Sequence, residues 1–238
     1  MRYALLSDIH ANWEALEKAG KDLALRRIDK IAVLGDTIGY GANPNECLDW
    51  ALEKADIYLM GNHEKAIFDE ALRDVFNPMA AEAITWTASV LKKNLSEKLP
   101  DLEYAKIENH LMFTHGSPDR PEDFRYLMNY EDARESFSVM TETVCFVGHT
   151  HVPCAICEGK RRTEYLHAGI IKIESGVRTI LNPGSVGQPR DRDPRLSYGI
   201  YDDKERTFEI IRLEYDNQKA ARKIIAAGLP EYLGERLL

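Results

Sequence analysis

Cysteine is scarce: Cys47, Cys145, Cys154 and Cys157 are the only four in 238 residues. That is too few for a disulfide scaffold in a chain this long, so a reducing compartment is the simpler reading and a cytoplasmic location is expected. Cys154-x-x-Cys157 has no second CxxC to complete a zinc site and does not open a helix after a strand, so it reads as two thiols on a strand. Long apolar runs are also missing. None approaches the ~20 residues of a membrane helix. The apolar stretch at Met1–Leu6 is too short for a signal peptide and leads straight into Asp8 and His10. No membrane partner is expected. Basic residues are outnumbered, 31 against 39 acidic, for a formal net charge of −8. Such a surface repels nucleic-acid phosphates unless a local basic face compensates. The longest basic run, Lys160-Arg161-Arg162, follows Gly159 and reads as a solvated turn. Nucleic acid is therefore not an expected partner, whereas an acidic excess suits a protein that loads divalent cations. Linkers, internal repeats and low-complexity segments are absent too, and one domain over residues 1–238 is expected.

What is present is an ordinary globular composition, 44% hydrophobic and 29% charged. Short apolar runs alternate with longer amphipathic stretches, the pattern of an α/β protein. Tyr3–Ser7, Ile31–Leu34 and Ile57–Met60 read as buried strands. Between the first two, Trp13, Leu16, Gly20 and Leu23 share one helical face. Between the second and third, Asn43 suits an N-cap, Pro44 the first helical position and Glu46 the capping-box acid. This β-α-β-α-β order implies parallel strands with right-handed crossovers. Residues 62–98 read as mainly helical, with a patch from Phe76 to Leu91 expected to cover the sheet. Leu111–Thr114 and Val144–Val147 read as further strands flanking a helical segment at Tyr130–Met140. From residue 164 the texture becomes antiparallel: Tyr165–Ile173, Arg178–Leu181, Leu196–Tyr201 and Phe208–Leu213, before a last helix at Gln218–Ala227.

The polar residues that follow these strands form a pattern. Asp8-x-His10 follows the first, Gly35-Asp36 the second and Gly61-Asn62-His63-Glu64 the third. His115-Gly116 and Gly148-His149-Thr150-His151 follow two later strands, and five of the seven histidines lie in these motifs. Strand ends in an α/β sheet gather ligands at one edge, so these side chains are expected to converge. Carboxylate and amide oxygens combined with imidazole nitrogens suit two divalent transition-metal ions, manganese first, with iron, zinc, nickel or cobalt as alternatives. A carboxylate such as Asp36 can bridge two ions ~3.5–4 Å apart. Taken singly, each motif has an ordinary reading as a capping turn, a loop or a hydrogen-bonded histidine. Their joint order, spacing and placement give the signal its weight.

With D-x-H, GD, GNH-Glu, a lone His and G-H-x-H in this order, the sequence resembles the calcineurin-like metallophosphoesterase superfamily. The gaps fit as well, with 24 residues from His10 to Gly35 and 24 from Asp36 to Gly61. Asn182-Pro183-Gly184-Ser185-Val186-Gly187 looks like a further element of its small bacterial and archaeal phosphodiesterase branch. The resemblance implies a four-layer α-β-β-α sandwich with two mixed β-sheets. It also implies one metal on Asp8, His10, Asp36 and His151, and the other on the bridging Asp36 with Asn62, His115 and His149. A homodimer through the helical segment or the C-terminal region is open by the same resemblance.

His63 stays free of metal in that pattern and is placed to protonate the departing alkoxide as general acid. Two cations sharing a water lower its pKa towards ~7, so a bridging hydroxide can attack the phosphate ester in line. Glu64 orients His63 or is a solvated helix-start acid. Gly39 stands where protein phosphatases of the superfamily carry the second Asp of GD-x-x-DRG, which argues against a phosphoprotein substrate. A small phosphodiester or nucleotide is expected instead, dinucleoside polyphosphates included. Tyr40, Arg120, Arg125 and the run from Arg190 to Arg195 are substrate-contact candidates with no role assigned. The rival reading is a non-catalytic metal-binding scaffold or regulatory module of the same fold, as in the retromer complex.

Overall fold

Strand β1 (Arg2–Leu6) is buried on both faces, and this double burial sets the layering. Tyr3 and Leu5 enter one hydrophobic cluster while Ala4 and Leu6 enter another, as the two-residue period of a strand requires. A strand covered on both sides needs a layer above and a layer below. The computed structural model describes residues 1–238. The remaining strands are β2 (Lys30–Val33), β3 (Ile57–Tyr58), β4 (Ala105–Glu108), β5 (Leu111–Thr114), β6 (Val144–Phe146), β7 (Cys154–Cys157), β8 (Arg162–Tyr165), β9 (Gly169–Lys172), β10 (Thr179–Asn182), β11 (Leu196–Asp202) and β12 (Thr207–Leu213). The helices are α1 (Trp13–Leu23), α2 (Pro44–Lys54), α3 (Asn62–Ala66), α4 (Glu70–Asp74), α5 (Pro78–Val90), α6 (Lys93–Ser96), α7 (Arg134–Val139), α8 (Asn217–Ala226) and α9 (Glu231–Glu235).

Two mixed six-stranded sheets result, in the orders β3-β2-β1-β11-β12-β9 and β4-β5-β6-β10-β7-β8. In the first, β1 pairs in parallel with β2 (Tyr3 opposite Lys30) and antiparallel with β11 (Arg2 opposite Asp202). In the second, β6 lies parallel to both β5 and β10. The sheets face each other across a core that includes Tyr3, Phe113, Phe146, Tyr201 and Phe208. Phe146 sits 5.1 Å from Phe113 and 5.2 Å from Tyr201, ring centre to ring centre, so aromatic packing bridges the sheets. Leu16, Ala19, Cys47 and Ala51 of α1 and α2 cover the outer face of the first sheet. Phe137 of α7 covers the outer face of the second, against Met112, Cys145 and Ile180. The order is the expected α-β-β-α. No helix is long and apolar enough to cross a membrane.

Several local expectations are corrected. The stretch Tyr165–Ile173 is two strands in different sheets, because Leu166–Ala168 and Gly169 at φ +139° carry the chain from β8 across to β9. The segment near Arg178–Leu181 is not purely antiparallel, since β10 is parallel to β6 on one side and antiparallel to β7 on the other. The helical patch at 76–91 faces helices rather than a sheet: Ala83 and Trp86 pack with Ala220, Ile224 and Leu233. Asn43 does cap α2 in position, with Pro44 following it, but its side chain bonds Glu46 and Lys223 instead of a backbone amide. The Cys154–Cys157 pair lies along β7, as expected, with free thiols.

Candidate metal centre

The site is built at the edge where the two sheets meet, on loops held in uncommon backbone conformations. Asp8 (φ 53°), His10 (47°), Asp36 (53°), His149 (65°) and His151 (61°) all occupy the left-handed region. Such residues persist only where surrounding bonds over-determine them, and here they do. The Asp8 amide donates to Gly35 O at 3.1 Å and the His10 amide to Asp36 O at 2.9 Å, fastening the loop after β1 to the loop after β2. The His149 amide donates to Asp8 Oδ2 at 3.1 Å, tying in the second sheet. Gly148 permits this approach, since a Cβ there would lie 1.9 Å from Ser7 Oγ.

The side chains fall into overlapping groups. Asp8, His10 and His151 offer donor atoms within 4.8 Å of one another, as do Asp36, His115 and His149. Asp36 Oδ2 lies between them, 3.8 Å from His10 Nε2 and 3.3 Å from His115 Nε2. Three histidines use Nδ1 outward, towards the backbone carbonyls of Ile38 (3.1 Å from His10), Leu34 (2.9 Å from His115) and Gln188 (2.7 Å from His151). A carbonyl only accepts, so each Nδ1 carries a proton. In the neutral rings of His10 and His151 the Nε2 keeps a lone pair directed inward, and His115 Nε2 does so once its second proton is lost. His10 Nε2 then faces His151 Nε2 at 3.2 Å, and His115 Nε2 faces His149 Nδ1 at 3.1 Å. Asp8 Oδ1 and Asn62 Oδ1 are buried with no hydrogen-bond donor. The lone pairs of His10 and His151 and the oxygens of Asp8 and Asn62 repel one another unless a cation lies among them, while on the Asp36 side the second proton of His115 takes that place in the metal-free chain. The donor set fits divalent transition metals.

The electrostatics agree. Burial pushes His10, His149 and His151 well below the usual imidazole range, so they are neutral donors. Burial acts to raise Asp36, yet His115 and His63 beside it hold it well below the usual carboxylate range. Burial likewise acts to lower His115, but the Asp36 carboxylate overrides it and lifts His115 to about 9. The pocket therefore draws positive charge even without metal.

Supporting residues lie behind the donors. Glu64 is fully buried, which corrects its reading as a solvated acid. It does not orient His63. Its carboxylate accepts the amides of Asp36 (2.8 Å), Thr37 (2.6 Å) and Gly61 (3.1 Å), so it holds the Asp36 loop. Asn182 Nδ2 donates to Gly148 O at 2.7 Å, and Ser185 Oγ to Asp8 O at 2.7 Å. These roles escaped sequence reasoning, although the Asn182–Gly187 motif had marked the segment.

His63 is buried, and its amide donates to Asp36 Oδ1 at 2.9 Å. Its ring centre lies 4.8 Å from His10, and burial lowers it to about 4. It is close enough to group with His10 and Asp36 as a donor. Its Nδ1, however, is buried beside Gly39 rather than turned to a carbonyl, where an added Cβ would come within 2.1 Å. With Asn62, Phe76, Tyr126 and His149 it walls a cavity of about 250 Å³. His110 and His167 are exposed and away from the centre. Arg125 pairs with Asp119 and Glu135, and Arg120 with Asp123.

Two stacked mixed sheets with helices outside, and a buried Asp/His pocket at their common edge, define a metallohydrolase scaffold. The chain belongs to the calcineurin-like phosphoesterase superfamily, whose domain model matches residues 1–206. It is 40% identical to an uncharacterized protein of Methanocaldococcus jannaschii over 239 residues, covering 98% of this chain and 96% of that protein. A metallophosphoesterase from Sphaerobacter thermophilus has a crystal structure similar to this one, with a TM-score of 0.90 and 37% identity over 100% of this chain and 98% of that one. A hypothetical protein from Pyrococcus horikoshii OT3 shares the fold, with a TM-score of 0.81 at 19% identity over 99% and 97% of the two chains.

Proposed function

We propose that the chain, as one unit over residues 1–238, is a metal-dependent hydrolase of a small phosphodiester or nucleotide. The observation that carries this reading is the inward convergence of imidazole nitrogens at 3.1–3.2 Å, with the Nδ1 protons of His10, His115 and His151 tied to backbone carbonyls. Asp8, His10, Asp36 and His151 would hold one ion, and Asp36, Asn62, His115 and His149 the other. When bound, divalent ions such as manganese supply Lewis acidity towards phosphoryl oxygens and lower the pKa of water towards ~7. Asp36 keeps the two donor groups in register, and Glu64 keeps Asp36 in place.

His63 acts on the leaving group. Burial holds it neutral at physiological pH. A phosphate brought beside it adds negative charge, which favours the imidazolium and loads the proton only when substrate is present. The walls of the 250 Å³ cavity, Phe76, Phe124 and Tyr126, suit a flat organic group next to the phosphate.

Metal analysis together with hydrolysis of bis-p-nitrophenyl phosphate, with and without Mn²⁺, tests this reading. Metal-dependent turnover is the expected result. A chain that holds two metal ions and hydrolyses no ester would be a binding module instead.

A further inference from the structure

Arg190 differs from its neighbours in the run from Arg190 to Arg195. Arg195 is paired with Asp193 at 2.7 Å, and Asp191 is taken by Arg212. Arg190 has no carboxylate. Its Nη2 donates to the Gln188 amide oxygen at 3.0 Å, and its Nε is buried with no partner. A buried guanidinium N–H left unbonded is costly, and a phosphate oxygen is the acceptor that its fork fits best. The backbone fixes where this group stands. The Arg190 amide donates to His151 O at 3.3 Å, and His151 Nδ1 is bonded to Gln188 O. Arg190 is thus anchored to a candidate metal ligand.

Two tyrosines frame it. Tyr40 lies 4.6 Å from both His10 and His63, and Tyr126 stacks on His149 at 3.9 Å, ring centre to ring centre. The Arg190 guanidinium lies beside both hydroxyls. A second arginine approaches from the C-terminal turn. Leu233 and Leu237 pack with Tyr40 and line a recess with His10 and Gln188, which brings the intervening Arg236 to this rim. Arg236 has no acidic partner and lies 6.0 Å from the Tyr232 ring. Arg236 is exposed at its outer side, yet partial desolvation and the nearby Arg190 charge both lower its affinity for a proton. Two unpaired cations at one rim repel each other, and an anion between them removes that repulsion.

We propose that Arg190 and Arg236, with the hydroxyls of Tyr40 and Tyr126, form an anion subsite beside the metal centre that grips a second, non-reacting phosphate of the substrate. The substrate class is then a phosphoester carrying two or more phosphate groups. Assigning the gripped phosphate as non-reacting rests on the hydrolase reading above; anion binding by the arginines does not. Arg236 lies beyond residues 1–206, so one of the two arginines of the subsite comes from outside the segment that matches the family's domain.

Calorimetric binding of pyrophosphate and of inorganic phosphate to the full chain with Mn²⁺ tests the proposal. Pyrophosphate is expected to bind at least about tenfold more tightly than phosphate, the worth of one added charge-assisted contact. R236Q should abolish that preference, and R190Q should weaken pyrophosphate binding by about 10–100-fold, with Mn²⁺ content and Tm unchanged. R222Q removes an equal charge from the exposed face of α8 and should change nothing. Equal wild-type affinity for the two anions would overturn the proposal, as would variants that bind pyrophosphate like wild type. If a glutamine variant folds poorly, R190K and R236K replace it: weaker pyrophosphate binding in a folded lysine variant supports the subsite, and unchanged binding overturns it. A wild-type chain that hydrolyses no ester yet binds pyrophosphate through these arginines would sink the hydrolase reading and leave the subsite. Ester hydrolysis without arginine-dependent binding would do the reverse.

Discussion

Glu64 accepts the backbone amide of Asp36 at 2.8 Å, and this bond fixes the carboxylate shared by the two donor groups. Removing that acceptor leaves buried amides unpaired, at about 1–3 kcal/mol each. Glu64→Gln replaces one acceptor oxygen with an NH₂ that faces N–H donors. It is expected to lower Tm and to weaken metal binding by about 10–100-fold, as loss of a ligand's support does. Metal titration followed by thermal melting checks this, and wild-type metal affinity in the variant would refute it.

Asp36 and His63 should fail in different ways. Asp36→Ala removes the oxygen between His10 and His115, so both metals should be weakened and turnover abolished. His63→Ala should keep its metal and lose about 10²–10⁴-fold in kcat, most for esters with poor leaving groups. Metal content and kcat measured across leaving groups separate the two. Equal loss for good and poor leaving groups would remove His63 from the acid role.

Gly39→Ala probes His63 without touching it. At φ +83° an added Cβ is strained, and it would fall 2.1 Å from His63 Nδ1. The variant should bind metal normally and reproduce most of the His63→Ala loss in kcat. Metal loss with unchanged kcat per metal-loaded site would contradict this.

Metal binding should release protons. His115, raised to about 9 by Asp36 against the effect of burial, is protonated at neutral pH in the metal-free chain. A metal taking its Nε2 displaces that proton, so affinity should rise with pH from neutrality to about 9. For the metal-free chain the sign is opposite. A folded pKa above the unfolded ~6.5 gives stability that is complete below ~6.5 and lost as pH climbs through about 9. Calorimetry in buffers of different ionisation enthalpy counts the protons. Affinity that stays flat or falls over this range would be evidence against it.

Much of the fold was legible because strand burial writes itself as short apolar runs, and β1, β2, β5 and β6 fall where those runs are. The motifs that end them gave the converging residues, since a strand's exit sets where the next residues stand. Less legible were features decided by partners distant in the chain. Gly169 moves the chain between sheets, but in sequence it looks like a glycine within one strand. Glu64 looks like any first-turn acid until the Asp36 loop folds over it. Arg190 and Arg192 are alike in sequence, and only Gln188 and His151 set Arg190 against the centre.

The donors divide by origin: Asp8, His10, Asp36 and Asn62 follow strands of one sheet, and His115, His149 and His151 follow strands of the other. The gap across the centre is therefore gauged by the thickness of the hydrocarbon layer between the sheets, where Phe113 and Phe146 meet Tyr3 and Tyr201. A change in the girth of those rings, far from any of these donors, would be felt as a change in the distance between the donors of one sheet and those of the other.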